Sequence, residues 1–262
     1  VLARIIQERK LMQSPLGMLA LTCAAADDVT AWCLLGAVIS IIRAETIMVF
    51  FVTVTLSVLY VLCMFYLVRP ALRSLGERFA TQGEVSKGFI ALLFIVLFLS
   101  AFATQAIGIH ALFGAFLAGM MMPIHSDFRQ LLISRIEDVS LVILLPIFFA
   151  INGLKTQIGL LNESYLWFIC LLIILVAVAG KFGGSAAAAR FTGQSWANSL
   201  ALGALMNTRG LVELVVLSIG YELGILTPTV FTMMVLMALV TTFMTRPMLW
   251  VIEHYFPRAD QR

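Results

Sequence analysis

Ala24-Ala25-Ala26-Asp27-Asp28-Val29-Thr30-Ala31-Trp32 lies in the middle of an apolar stretch running from residue 15 to residue 42. Ser14 is a natural N-cap and Pro15 suits the first helical position, so a helix is predicted to open there. Arg43 and Glu45 close its far end. The two aspartates then fall about 12 residues into the helix, roughly 18 Å along it. That is near the midplane of a bilayer whose hydrocarbon is about 30 Å thick. A charge at that depth costs a few kcal/mol on insertion, so an acidic pair there calls for a role beyond capping or a structural ion pair. Adjacent helical residues point about 100° apart. One carboxylate can therefore face a water-filled cavity while the other faces a neighbouring helix.

The rest of the chain calls for the same lipid solvent. Apolar residues make up 61% of the 262 and charged residues 12%, about half the charge of a soluble domain. Eight stretches are long enough, or nearly so, to span as helix: 15–42, 47–68, 88–107, 109–124, 134–154, 165–189, 196–219 and 228–249. The runs are continuous rather than alternating, which excludes barrel strands. The predicted fold class is all-α integral membrane. Of the 17 Lys and Arg, thirteen fall on one side of the alternating spans. Arg43 and Lys155 fall on the other, and Lys181 and Arg209 lie inside spans. The positive-inside rule makes the first side cytoplasmic, together with both visible ends, in a cell membrane. Residues 1–250 read as one transmembrane domain, with a cytoplasmic linker at 69–87 and a polar cytoplasmic tail at 251–262. Val1-Leu2-Ala3-Arg4 reads as the end of a helix already under way, so an N-terminal part is expected outside this sequence.

Three further charges lie inside spans. Lys181 stands before Gly183-Gly184-Ser185-Ala186-Ala187-Ala188-Ala189, about 13 Å from the end of its helix at Arg190. That depth exceeds a comfortable snorkel, and small residues allow close helix approach, so Lys181 is the expected counter-charge to an aspartate. Asn207-Thr208-Arg209-Gly210 interrupts an apolar span and predicts a broken helix, which a membrane tolerates only where protein or water meets the backbone. Arg209 and Glu213, spaced i, i+4, are placed to pair. His110 reads as interfacial, Asn152-Gly153 as a helix end, and Cys23, Cys33, Cys63 and Cys170 as small buried hydrophobes. No phosphate loop, zinc spacing, nucleotide fingerprint or nucleophile triad is present. No cofactor, no nucleic-acid partner and no enzyme chemistry are therefore expected. An intramembrane aspartyl protease would need two carboxylates facing one water, and adjacent aspartates point apart.

Four stretches together resemble the second group of monovalent cation:proton antiporters, the Kef-type and plant cation/proton exchangers. They are residues 1–5 through Ala26-Asp27-Asp28-Val29-Thr30-Ala31-Trp32; His110-Ala111-Leu112-Phe113-Gly114-Ala115-Phe116-Leu117-Ala118-Gly119; Leu145-Pro146-Ile147-Phe148-Phe149-Ala150-Ile151-Asn152-Gly153-Leu154; and Met206-Asn207-Thr208-Arg209-Gly210-Leu211-Val212-Glu213-Leu214. The resemblance implies an inverted-repeat antiporter fold, with a dimerisation domain, a moving core and two broken crossing helices. The second crossing falls at Asn207–Gly210 and the first just before Val1. It implies a homodimer. Position by position, it makes Asp28 the carboxylate that binds a monovalent cation or a proton, and Asp27 the partner of Lys181. Aspartate at position 27 resembles the sodium-favouring branch, while the other stretches resemble potassium-handling branches. The transported ions are thus Na⁺ or K⁺ and H⁺, exchanged by alternating access. A cation channel using the same pathway, and an inactive scaffold, are the competing readings.

Overall fold

The computed structural model describes residues 2–9, 11–43, 47–80, 87–122, 136–137 and 139–256, and every regular element among them is helical. Among the described residues seven helices are long and apolar enough to cross a bilayer: Pro15–Ile39, Met48–Leu75, Gly88–Ile107, Ser140–Leu160, Ser164–Phe191, Trp196–Glu222 and Pro228–Tyr255. The predicted span at 109–124 contains the shorter helix Ala111–Met120. Gly108, at φ 102°, turns the chain into it, and Met121 ends it in a turn. Residues 123–135, where a continuation was expected, lie outside the described residues.

The predicted cap at Ser14 is present: its Oγ accepts the Gly17 amide at 3.0 Å. It opens helix α2 (Pro15–Arg43), which comes after the short α1 (Leu2–Glu8). Two boundaries differ from those expected. The segment 69–87 is not a simple linker, because a π-helical turn at Met64–Val68 carries helix α3 (Ile47–Cys63) on into α4 (Arg69–Ala80). The C-terminal helix continues to Tyr255, so the helix takes in residues 251–255 of the predicted tail.

The chain divides into two compact units. One is Thr30–Phe148. In it α5 (Lys87–Ile107) and α6 (Ala111–Met120) lie so close that a Cβ on Gly114 would stand 2.2 Å from the Ser100 carbonyl oxygen. The Ser100 hydroxyl fastens this approach by donating to the Gly114 carbonyl at 2.6 Å, and the Tyr60 hydroxyl bonds the same Ser100 Oγ. Met64, Leu72, Phe89, Leu93, Leu117 and Met121 form the apolar centre. Trp32 stacks on Phe116 with ring centres 5.5 Å apart.

The other unit is built from both ends of the chain, residues 1–29 and 149–262. It holds the rest of the elements: α7 (Leu145–Lys155, from Phe149 on), α8 (Ser164–Val178), α9 (Gly184–Phe191), α10 (Trp196–Met206), α11 (Leu211–Glu222) and α12 (Pro228–Tyr255). Ile5, Ile6, Leu16 and Ala20 pack with Ala201, Leu202, Leu205, Leu249 and Ile252. Ion pairs tie α1 and the residue after it to the end of α12: Arg246–Glu8 at 2.6 Å and Arg9–Glu253 at 2.8 Å. The span Trp196–Glu222 is the most enclosed of the seven. Its most apolar window is 56% buried, against 6% in Ser164–Phe191. An enclosed position lets a helix break, because neighbouring groups can then satisfy the freed backbone.

Of the cysteines, only Cys170 is buried as expected; Cys33 and Cys63 lie on exposed helix faces and Cys23 is half-buried. Apolar side chains such as Phe98, Phe102 and Phe243 are exposed in the same way. On a lipid-facing surface an apolar residue need not be inside, so the soluble-protein expectation for cysteine does not carry over.

Candidate functional site

The acidic pair of α2 divides as the 100° step between neighbours requires. Asp27 turns to the next helix, where its Oδ2 accepts from Lys181 Nζ at 2.5 Å. Asp28 is half-buried, and no hydrogen bond to its carboxylate is made among the described residues. The ion pair is not sealed: the Asp27 side chain is 52% exposed and that of Lys181 is 35% exposed. The two neighbouring carboxylates thus differ: one is paired with Lys181 and the other makes no hydrogen bond among the described residues.

Lys181 does not sit on an ordinary helix. Between α8 and α9 the chain forms a π-helical turn, Ala179–Gly183, with Lys181 at its centre. A π turn inserts one extra residue into the helix and rotates the residues beyond it, and such turns concentrate at functional positions. Sequence reasoning located the lysine correctly but had no sign of the widened turn, apart from the glycines at 180, 183 and 184.

The second expected feature, the break, is present at Asn207–Gly210, between α10 and α11. Asn207 ends α10 in helical geometry, and Gly210 is extended, with φ −115° and ψ −171°. The break is held by threonines of α12, of which Thr242 bonds the freed backbone. Arg209 donates its amide to Thr242 Oγ1 at 3.1 Å, and the Thr242 hydroxyl shares its proton between the Arg209 and Ala238 carbonyls, at 3.1 and 2.8 Å. Thr208 and Thr245 join hydroxyls at 3.1 Å, and Asn207 Nδ2 donates to the Thr241 carbonyl at 3.5 Å. Arg209 and Glu213 pair at 2.6 Å with both side chains mostly buried. Glu213 also stands in the first turn of α11, where a negative charge complements the helix dipole. Two buried polar atoms of this break have no partner among the described residues: Asn207 Oδ1 and Arg209 Nε.

Two features escaped the sequence reading. The strip Thr241, Thr242 and Thr245, spaced i, i+1, i+4 in an apolar helix, was a usable signal. The pairing of Asn152 with Ser218 was not. Asn152 was expected to end a helix, but α7 runs past it to Lys155. Its buried Oδ1 takes the proton of the Ser218 hydroxyl on α11 instead. Burial of an amide among apolar helices requires such a partner. His110 is the N-cap of α6, its Nδ1 accepting from the Leu112 amide at 3.3 Å. The open groove of about 370 Å³ between α8 and α12 reaches Arg209 but neither aspartate, and its lining of Leu172, Ile173, Val176, Ala177, Met234 and Met237 is apolar. Such a wall offers a monovalent cation no oxygen ligands.

Comparison with known proteins places these features in a family. Residues 1–251 match the family described as sodium/hydrogen exchanger, transmembrane. The chain is 41% identical over 248 residues to the Na(+)/H(+) antiporter NhaS4 of Synechocystis, an alignment that covers 95% of this chain and 60% of that protein. It is 36% identical over 253 residues to cation/H(+) antiporter 17 of Arabidopsis thaliana, covering 96% of this chain and 31% of the relative. It is 34% identical over 253 residues to K(+)/H(+) antiporter 1 of Saccharomyces cerevisiae, covering 95% and 29%. The chain thus spans three fifths of the length of the first of these relatives and under a third of the other two. With a family match across nearly all its length and an all-helical, multi-span fold, this chain belongs to the sodium/hydrogen exchanger family of cation:proton antiporters, in the group of the Kef-type and plant cation/proton exchangers.

Proposed function

We propose that this chain is the ion-translocating part of a secondary antiporter that exchanges Na⁺ or K⁺ for protons, with Asp28 as the contested carboxylate. One observation carries the reading. Lys181 holds Asp27 at 2.5 Å, while the adjacent Asp28 has no hydrogen-bond partner among the described residues. A charged carboxylate without a partner at the depth expected for Asp28 is costly. A bound cation or a bound proton removes that cost equally well. The two therefore compete for one group, and the empty, ionised site is the form least able to cross. That requirement couples the two fluxes without an enzyme step. The break at Asn207–Gly210 supports the reading, since broken helices with polar atoms to spare are a common way for transporters to build ion sites.

The lysine and arginine distribution supports a cytoplasmic location for both visible ends in a cell membrane. The resemblance to the antiporter group supports a homodimer. The test is cation-induced dequenching of a pH dye in proteoliposomes, with Na⁺ and K⁺ added separately to the intact protein and to Asp28→Asn. Collapse of the proton gradient by one cation, lost in Asp28→Asn, is the expected result and names the ion. Exchange by Asp28→Asn at the parent rate overturns the carboxylate mechanism and leaves a channel or a scaffold in its place.

A further inference from the structure

The widened turn that carries Lys181 comes closest to the broken span at one residue, Gly203. This glycine is buried in α10, one helical turn before Asn207. A Cβ built on it would stand 2.7 Å from the Phe182 carbonyl oxygen, 3.1 Å from the Ala186 Cβ and 3.2 Å from Phe182 Cδ2. The nearest obstacle is backbone, which cannot swing aside as the end of a side chain does. The segment it touches is the π turn itself, at the residue next to Lys181. On that turn's other side there is room: a Cβ on Gly180, Gly183 or Gly184 meets nothing within 4 Å. The tight approach to the turn is therefore at Gly203, beside the packing of Phe182 on the core, and not around the turn's own glycines.

We infer that Gly203 is a positioning residue for Lys181. It sets the height and rotation of the Ala179–Gly183 turn, and through them the reach of the ammonium to Asp27. It also makes the counter-charge and the first half of the broken span one mechanical piece, so that a shift of α10 is felt at the ion pair. The inference rests on the proposed function and adds a residue that touches neither ion nor carboxylate. A side chain at 203 would push the Phe182 carbonyl outward and carry Lys181 with it, leaving the fold around Asp28 in place.

The experiment is a double-mutant cycle in proteoliposomes of the intact protein: parent, Gly203→Ala, Lys181→Gln and the double variant, with Gly153→Ala and Asp28→Asn alongside. The readout is the pH profile of cation-driven exchange. Gly203→Ala is expected to move the profile by about one pH unit, in the direction Lys181→Gln moves it, and to add nothing in the Lys181→Gln background. Gly153→Ala, whose Cβ meets nothing within 4 Å, is expected to leave the profile where it is. If Lys181→Gln does not transport, the same cycle is read in the shift of melting temperature that the cation induces in detergent. An unchanged profile in Gly203→Ala, or an equal shift with and without Lys181, overturns the positioning role while Asp28→Asn remains inactive. Exchange by Asp28→Asn instead overturns the functional reading, whatever Gly203→Ala does.

Discussion

At Asn207–Gly210 the chain leaves the helix altogether, whereas at Ala179–Gly183 it stays helical and only widens. Both departures lie in the unit built from the two ends of the chain. The break frees backbone groups that must be re-bonded, and Thr242 of α12 takes both those of Arg209, while a threonine pair and one ion pair tie the side chains. The π turn frees little, since its hydrogen bonds are shifted in register rather than lost. It needs only a neighbour that fixes its position. The difference separates two ways of placing a charge in a membrane. Arg209 is held by many bonds and paired within its own half-helix. Lys181 rides on a turn placed by packing, through the close approach at Gly203 and Phe182 on the core, and its charge reaches another helix.

The largest expected effect is at the break. Arg209→Ala leaves Glu213 mostly buried without its partner and should lower stability by about 3 kcal/mol, read as thermal unfolding in detergent. Removing Glu213 as well should restore part of the loss. A single-variant loss below about 1 kcal/mol would show that the threonines alone hold the break, and would weaken the contrast with Lys181. A middle effect is expected for Thr242→Val, which keeps the shape and removes the hydroxyl bonded to both the amide and the carbonyl of Arg209. The cost should be roughly 1–2 kcal/mol, with faster hydrogen exchange at the Arg209 amide. Slow exchange there in Thr242→Val would mean that the backbone of the break is satisfied by some other group. The smallest effect belongs to the π turn. Gly183→Ala meets no neighbour, so its stability should stay within about 1 kcal/mol of the parent and rise rather than fall. A large loss would show that the turn depends on its own glycines and not on the neighbour at Gly203.

The break could be read in the sequence because its cause is local. Four residues, three of them polar and one a glycine, stand where an apolar run should continue. Asp27, Asp28 and Lys181 were equally readable, since a charge inside a span is rare enough to mark itself. Sign and depth pointed Lys181 to an aspartate on another span, and the family resemblance implied that it was Asp27. The π turn was not readable, because Ala179-Gly180-Lys181-Phe182-Gly183 is compatible with an ordinary helix and only the approach of α10 favours the wider form. The role of Asn152 was hidden for the same reason. Asn-Gly ends helices by local preference, and here a serine 66 residues away outweighs that preference. The continuation of α3 into α4 escaped because charge density at Arg69, Arg73 and Arg78 reads as loop, while a helix leaving the bilayer carries charges just as well.

The pairing of Lys181 with Asp27 across 154 residues has a consequence for how the protein is made. At about 5–20 residues per second, a ribosome that has released Asp27 needs roughly 8–30 seconds to deliver its partner. During that interval α2 is already due in the membrane with two acidic groups and no lysine to neutralise either. The threonines that hold the break arrive later still, on α12. Biosynthesis therefore passes through a stage in which the acidic pair of α2 has been made and its counter-charge has not. The insertion machinery must shelter this helix until Lys181 has been made.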